Sequence, residues 1–278
     1  MAFPGATTDR ERARYAVVGA PLDVTTSFHP GARFGPERIR RFARSFEGYD
    51  VDADVQFSDL AVHDAGDVRA WPDPEDYVDH LRAELSALVD DEIVPLLLGG
   101  EHTVTVAGVR AVDPDTLVVC DAHLDLRDSY DGEPYSHACV SRRALETADR
   151  LVVLGGRSGS EAGWERVEAD DVVTVVPPDA VAEWLDETDL DDLGRLYLSV
   201  DIDAADPAVA PGTGTPAPFG MDARAMREAV ARVAPHAAGF DVVEVNDRDD
   251  GQAASLAAAL LRRFVFDHAE RQASGADR

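Results

Sequence analysis

Acidic and imidazole side chains collect at four points in this chain, each directly behind an apolar run. Asp121-Ala122-His123-Leu124-Asp125 follows the run 116–120, and Gly99-Gly100-Glu101-His102 follows 93–98. Asp201-Ile202-Asp203 follows 196–200, and Glu244 follows 240–243. Carboxylate oxygen and neutral imidazole nitrogen are the donors that divalent ions take near neutral pH, and an oxygen-rich mixture favours manganese over zinc. In an extended segment residues i, i+2 and i+4 share a side. Asp121, His123 and Asp125 are therefore expected to project together, as are Asp201 and Asp203. Taken singly, each has an ordinary explanation. An Asp behind a strand caps backbone amides, His102 after Gly-Gly caps a helix, and Glu244 pairs with an Arg. Taken together, four carboxylates and two imidazoles crowded without a cation would repel until some took up protons. Two bridged divalent ions remove that conflict, so the pattern predicts a two-metal hydrolase site.

Such a site needs elements that deliver the four clusters to one place. Short apolar runs at 15–19, 60–63, 94–98, 116–120, 151–154, 172–176, 196–200 and 239–243 read as strands. Helical spacing appears at 36–46, 74–88, 103–112, 221–233 and 253–268. Strands alternating with helices give a mostly parallel sheet covered on both faces, and active sites of such sheets lie at the carboxyl ends of the strands. Two connections, 22–35 and 204–220, are longer than a simple turn needs, and long loops at that end line sites. With no linker, repeat or low-complexity block, the expectation is a single domain over 1–278. Its tail, 272–278, is expected to be without regular structure.

Composition narrows the partners. The chain of 278 residues is 45% apolar, enough for a full core. It carries 54 acidic residues against 26 basic ones, a formal charge of −28, and every basic residue is Arg. This density of negative charge is tolerated where salt screens it, which points to a high-salt cytoplasm; an ordinary protein with a strongly acidic face is the alternative. The charge argues against nucleic acid, which needs a basic footprint, and against an anionic membrane surface. Cys120 and Cys139 lie in or near apolar sequence and read as buried thiols. No secretory leader and no apolar run of membrane-spanning length is visible, so a cytoplasmic protein is expected.

The ordered motifs resemble the ureohydrolase (arginase/agmatinase) family, and the archaeal type of agmatinase in particular. They are Gly31-Ala32-Arg33-Phe34-Gly35-Pro36, Gly99-Gly100-Glu101-His102, Asp121-Ala122-His123-Leu124-Asp125, Ser136-His137-Ala138-Cys139-Val140, Ser199-Val200-Asp201-Ile202-Asp203, Ala210-Pro211-Gly212-Thr213-Gly214-Thr215-Pro216 and Val243-Glu244-Val245-Asn246. The resemblance implies an α/β protein, three-layer α/β/α, with an eight-stranded parallel sheet. It implies two Mn²⁺ ions per subunit and assembly as a homo-oligomer, a trimer or hexamer. One ion would take His102, Asp121, Asp125 and Asp201, and the other His123, Asp121, Asp201 and Asp203. Glu244 would hold the guanidinium of a small-molecule substrate, Asp125 would aim the attacking water, and His137 would shuttle a proton. On its own residues His137 reads as a solvated loop histidine. Residues 126–133 are acidic and suit a cationic tail, which favours agmatine or aminopropyl-agmatine over arginine or guanidinobutyrate. A formimino compound, and a metal-binding paralogue without activity, are the alternatives. Asp247 and His29 depart from the family pattern, and both are expected to tune substrate choice.

Overall fold

The computed structural model describes residues 1–276. In chain order the elements are β1 (Tyr15–Ala20), α1 (Gly35–Phe42), β2 (Tyr49–Asp50), β3 (Val55–Gln56), β4 (Val62–Asp67), α2 (Pro74–Asp90), β5 (Val94–Gly99), α3 (Thr105–Val112), β6 (Thr116–Cys120), α4 (Val140–Ala144), β7 (Arg150–Leu154), α5 (Glu161–Ala169), β8 (Val173–Val176), α6 (Val181–Glu187), β9 (Leu196–Asp201), α7 (Ala223–Val233), β10 (Ala237–Val243) and α8 (Gln252–Ala276). Eight strands form one sheet in the order β4-β1-β5-β10-β9-β6-β7-β8. Every pairing in it is parallel.

Strand alternation builds the layers. Tyr15, Val17, Leu96, Leu98, Val118, Cys120, Leu198 and Val200 face one side, where Ile39 of α1, Val181 and Leu185 of α6, Met226 and Val230 of α7 and Leu261 and Phe264 of α8 pack on them. The intervening residues face the other way. Ala16, Val18 and Leu97 meet Tyr77, Leu81 and Leu85 of α2 and Val106 of α3. Farther along, Leu117, Val119 and Tyr197 meet Val109 and Val112 of α3 and Ala144 of α4. The three-layer α/β/α arrangement with an eight-stranded parallel sheet is therefore present, and β1 and β9 are buried along their whole length, as strands covered on both faces must be. Side-chain caps fix the helix starts: Asp73 accepts from the Asp76 amide ahead of Pro74, and Asp222 accepts from the Arg224 and Ala225 amides.

Helices α4, α5 and α6 and the hairpin β2–β3 were not expected from spacing: α4, α6 and the hairpin strands are too short for a periodic pattern, and α5 buries only Gly163 and so has no apolar stripe. Helix α8 runs on from Ala269, Glu270, Arg271 and Gln272, all good helix formers, and its bounds reach Ala276. Of the tail 272–278, residues 277 and 278 lie outside the described residues. Among the described residues no helix is long and apolar enough to cross a membrane.

Candidate metal centre

The chain crosses from β5 to β6 early, and β9 and β10 later fill the gap between them. The four neighbours β5, β10, β9 and β6 are the strands that carry the four clusters. Their carboxyl ends lie side by side, and there the predicted residues meet. His102 begins the turn after β5, Asp121 follows β6, Asp201 closes β9, and Glu244 follows β10. His102, Asp121, Asp201, Asp203 and Glu244 are buried, and His123 is partly open.

His102 Nδ1 faces three carboxylates: Asp125 Oδ2 at 3.1 Å, Asp121 Oδ2 at 3.2 Å and Asp201 Oδ2 at 3.4 Å. His123 Nδ1 lies 3.1 Å from Asp203 Oδ2 and 3.6 Å from Asp121 Oδ1. Ligand atoms of His102, Asp121 and Asp201 fall within 4.8 Å of one another, and so do those of Asp121, His123 and Asp203. Asp121 belongs to both groups. The extended row expected for Asp121, His123 and Asp125 is not how the loop reaches this geometry. The chain bends after β6, and Asp125 adopts a left-handed backbone with φ of 50°. Glu244 does the same at 60°. Non-glycine residues held there are strained, and such strain concentrates at functional sites.

Two observations test whether a cation fits. Asp121 Oδ2 is buried and has no hydrogen-bond partner. Second, His102 Nε2 lies 3.3 Å from Ser199 Oγ, and Ser199 donates to Asp241 Oδ1 at 2.6 Å. With the serine proton committed to Asp241, its oxygen accepts from Nε2–H and leaves a lone pair on Nδ1. That lone pair points at three carboxylates, which only a cation or a proton between them makes favourable. The electrostatics of the buried groups make the same demand. Burial alone would lower His123, but Asp203 and Asp121 push it up to about 12. Burial also lowers His102 on its own, yet Asp121 and Asp125 hold it well above the usual imidazole range. Burial and the Asp121 charge raise Asp125 to about 6. The residues fit divalent cations.

Glu244 is anchored beside this cluster. Its Oε1 accepts the His102 backbone N–H at 2.8 Å, and its own amide donates to Gly100 O at 2.8 Å. Burial, with Glu101 nearby, raises it to about 8. The 204–220 loop closes over it. A β-carbon on Gly214 would come within 3.2 Å of Glu244 Oε2, so only glycine lets the loop approach freely. Arg157, which sequence reasoning did not single out, holds that loop by donating to the carbonyls of Asp203, Ala204, Ala217 and Pro218 at 2.7–3.2 Å. Asp206 Oδ2 ties the loop's far end by accepting from the Phe219 and Gly220 amides. Behind Glu244, Asn246 donates to Gly212 O at 2.9 Å and accepts from the Arg248 amide at 3.1 Å, so the segment holding Asp247 is stitched in place.

A cavity of about 220 Å³ opens beside the cluster, lined by His123, Asp125, Arg127, Tyr130, His137 and Ser158 among others. His137 is therefore part of the site and not a solvated loop histidine. Burial, with the His102 and His123 charges, lowers it to about 4, so it is neutral at pH 7. The expectation for residues 126–133 needs correction. Asp128 turns away to Arg142 at 2.7 Å and Glu133 accepts the Tyr135 amide at 2.8 Å. What this segment presents to the cavity is Leu126, Arg127 packed over the Tyr130 ring, and that ring itself. The His29 ring lies tilted against Phe28, with ring centroids 3.8 Å apart, and is not among the lining residues.

Residues 13–266 match the model of the arginase family. The chain is 37% identical over 272 residues to an agmatinase of Pyrococcus horikoshii, covering 94% of this chain and 93% of that protein. It is 37% identical over 263 residues to an N(1)-aminopropylagmatine ureohydrolase of Thermococcus kodakarensis, covering 90% and 89%. The crystal structure of an agmatine ureohydrolase of Thermoplasma volcanium superposes with a TM-score of 0.91 at 35% identity, covering 99% of this chain and 96% of that one.

Proposed function

The chain belongs to the arginase family, and on that premise we propose that it hydrolyses the guanidino group of agmatine to urea and putrescine at a two-manganese centre. The observation that carries the reading is the pairing of two donor groups through Asp121 with a buried carboxylate, Glu244, at their edge. His102, Asp121, Asp125 and Asp201 would hold one ion. His123, Asp121, Asp201 and Asp203 would hold the other, with Asp121 and Asp201 shared. When bound, two such ions supply Lewis acidity and acidify water at neutral pH.

The chain's own residues supply the rest. Glu244 accepts two parallel N–H bonds from the planar guanidinium, which fixes its carbon toward the cluster. Asp125 accepts a hydrogen bond from the attacking water and aims it. His137, neutral at rest, takes up the proton released on attack and passes it to the departing amine. The hydroxyls of Tyr130, Ser158 and Ser160 offer hydrogen bonds to the far end of the substrate.

One observation favours a second reading. Arg127 lies in the cavity wall, and a guanidinium there suits a guanidino acid such as guanidinobutyrate. Relatives at 37% identity favour agmatine or its aminopropyl derivative. Urea release from agmatine, aminopropyl-agmatine, arginine and guanidinobutyrate, with Mn²⁺ in molar KCl, separates them. Agmatine turnover supports the first reading, and guanidinobutyrate turnover alone replaces it with the second. No urea from any of them, with metal bound, returns the formimino substrates and the inactive paralogue. The charge of −28 supports a high-salt cytoplasmic setting without nucleic-acid partners, and the family resemblance supports a homo-oligomer in polyamine synthesis.

A further inference from the structure

We propose that Glu101, acting through Thr25, and Ser27 are positioning residues that hold His137 at two points for proton transfer. The inference rests on the guanidine hydrolysis proposed above and deepens it. Glu101 is fully buried next to His102. Its Oε2 accepts the Thr25 amide at 2.8 Å and the Thr26 hydroxyl at 3.4 Å, and its Oε1 accepts the Thr25 hydroxyl at 2.9 Å. A hydroxyl has one proton. Because Thr25 donates it to Glu101, the Thr25 oxygen is left as an acceptor, and it takes the His137 backbone N–H at 2.9 Å. The other hold is on the ring, where Nε2 lies 3.0 Å from Ser27 Oγ.

The ring therefore spans from Ser27 to Glu244, with Nδ1 3.9 Å from Glu244 Oε1. A proton moving at Nδ1 moves where the guanidinium would sit. Ser27 both donates and accepts, so it meets Nε2 with or without a proton there, and the ring can give a proton at one nitrogen while its partner at the other stays hydrogen-bonded. Ser27 is exposed, which opens this end to solvent. The strap itself is pinned. Glu101 N donates to Leu22 O at 2.7 Å, and a β-carbon on Gly100 would stand 1.9 Å from that oxygen. The glycine before the Glu-His pair thus allows the 22–35 loop to lie close enough for Thr25 to reach Glu101.

The test is Thr25→Val, which keeps shape and removes the hydroxyl, made in the wild type and in His137→Asn. In the metal-loaded wild-type background kcat should fall about tenfold, since small misplacements of reacting groups cost up to about 100-fold. KM should stay within about twofold, metal content per subunit should not change, and Thr25→Ser should restore most of the rate. In His137→Asn the same change should cost nothing further, because the group it positions is gone. An equal loss in both backgrounds, or a rise in KM with kcat intact, overturns the proposal. A crystal structure of metal-loaded Thr25→Val gives a readout independent of substrate: His137 should shift while the Asp/His cluster stays. An unmoved His137 refutes the positioning role, whereas a wild type that releases no urea refutes only the hydrolysis reading.

Discussion

Two charge clusters with buried members sit at this sheet, and they resolve their charge in different ways; in the first, Arg40 and Asp64 are buried while Asp67 reaches the surface. At the β1–β4 edge Arg40 is enclosed by its own partners. It meets Asp64 through Nε and Nη2 at 2.8 and 2.9 Å, and Asp67 through Nη1 at 2.6 Å. Asp64 also accepts the Gly66 and Phe3 amides. Guanidinium and carboxylates there satisfy one another, and nothing is left for a ligand. At the centre of the sheet Asp121, Asp125, Asp201, Asp203 and Glu244 converge with three imidazoles, His102, His123 and His137, and among the described residues no Arg joins the ion pairs they form. The first cluster is structural. The second buries several carboxylates with no guanidinium among them, an arrangement that fits a cation, so what separates a candidate site from a strut is buried negative charge left without a fixed positive partner.

Asp125→Asn should widen that contrast most. Losing the group that aims the water should lower kcat by about 10²–10⁴-fold while the melting temperature stays near wild type. Turnover within a few-fold of wild type would remove Asp125 from its role. Arg40→Met should do the reverse. Breaking a buried pair by removing one partner costs about 3–5 kcal/mol, read by denaturant unfolding, with metal content and kcat of the folded protein unchanged. The same pair sets an acid limit. Burial alone would raise Asp64, but hydrogen bonding and charge from Arg40 outweigh it and leave its pKa lowered. A lowered folded pKa gives stability that is present above the unfolded value of 3.8 and lost as pH falls below it. Wild type should therefore lose more stability below pH 3.8 than Arg40→Met does, and parallel acid titrations of unfolding would contradict this. Ser199→Ala should have the smallest effect. It cuts the relay from His102 to Asp241, and loss of such a supporting contact lowers metal affinity by about 10-fold or more, measured by competition with a chelator.

The sequence shows one cluster far better than the other. The site was legible because its residues stand at strand ends behind apolar runs, where a carboxylate has no role in the core. The apolar runs likewise marked seven strands of the main sheet along most of their length, while β4 was caught only at Val62 and His63. Arg40 was hidden in an ordinary amphipathic helix, and its partners Asp64 and Asp67 lie in a strand read only as 60–63. Ser199 and Asp241 sit inside strands taken as core, although an Asp within Phe240–Asp241–Val242–Val243 is costly to bury and was a signal. Glu101 and Thr25 could not be linked from sequence, since they are 76 positions apart and meet through a loop without periodicity. Backbone bends were equally hidden: Asp125 was expected in an extended row and is left-handed.

The central claim is that Asp121 is shared by two cations. It is tested most directly by dialysing wild type and Asp121→Asn against Mn²⁺ and counting the ions retained per subunit. Two ions in the wild type, with both sites weakened together in Asp121→Asn, is the predicted result. One ion or none in the wild type, or a variant that loses one site and keeps the other at full affinity, would contradict it.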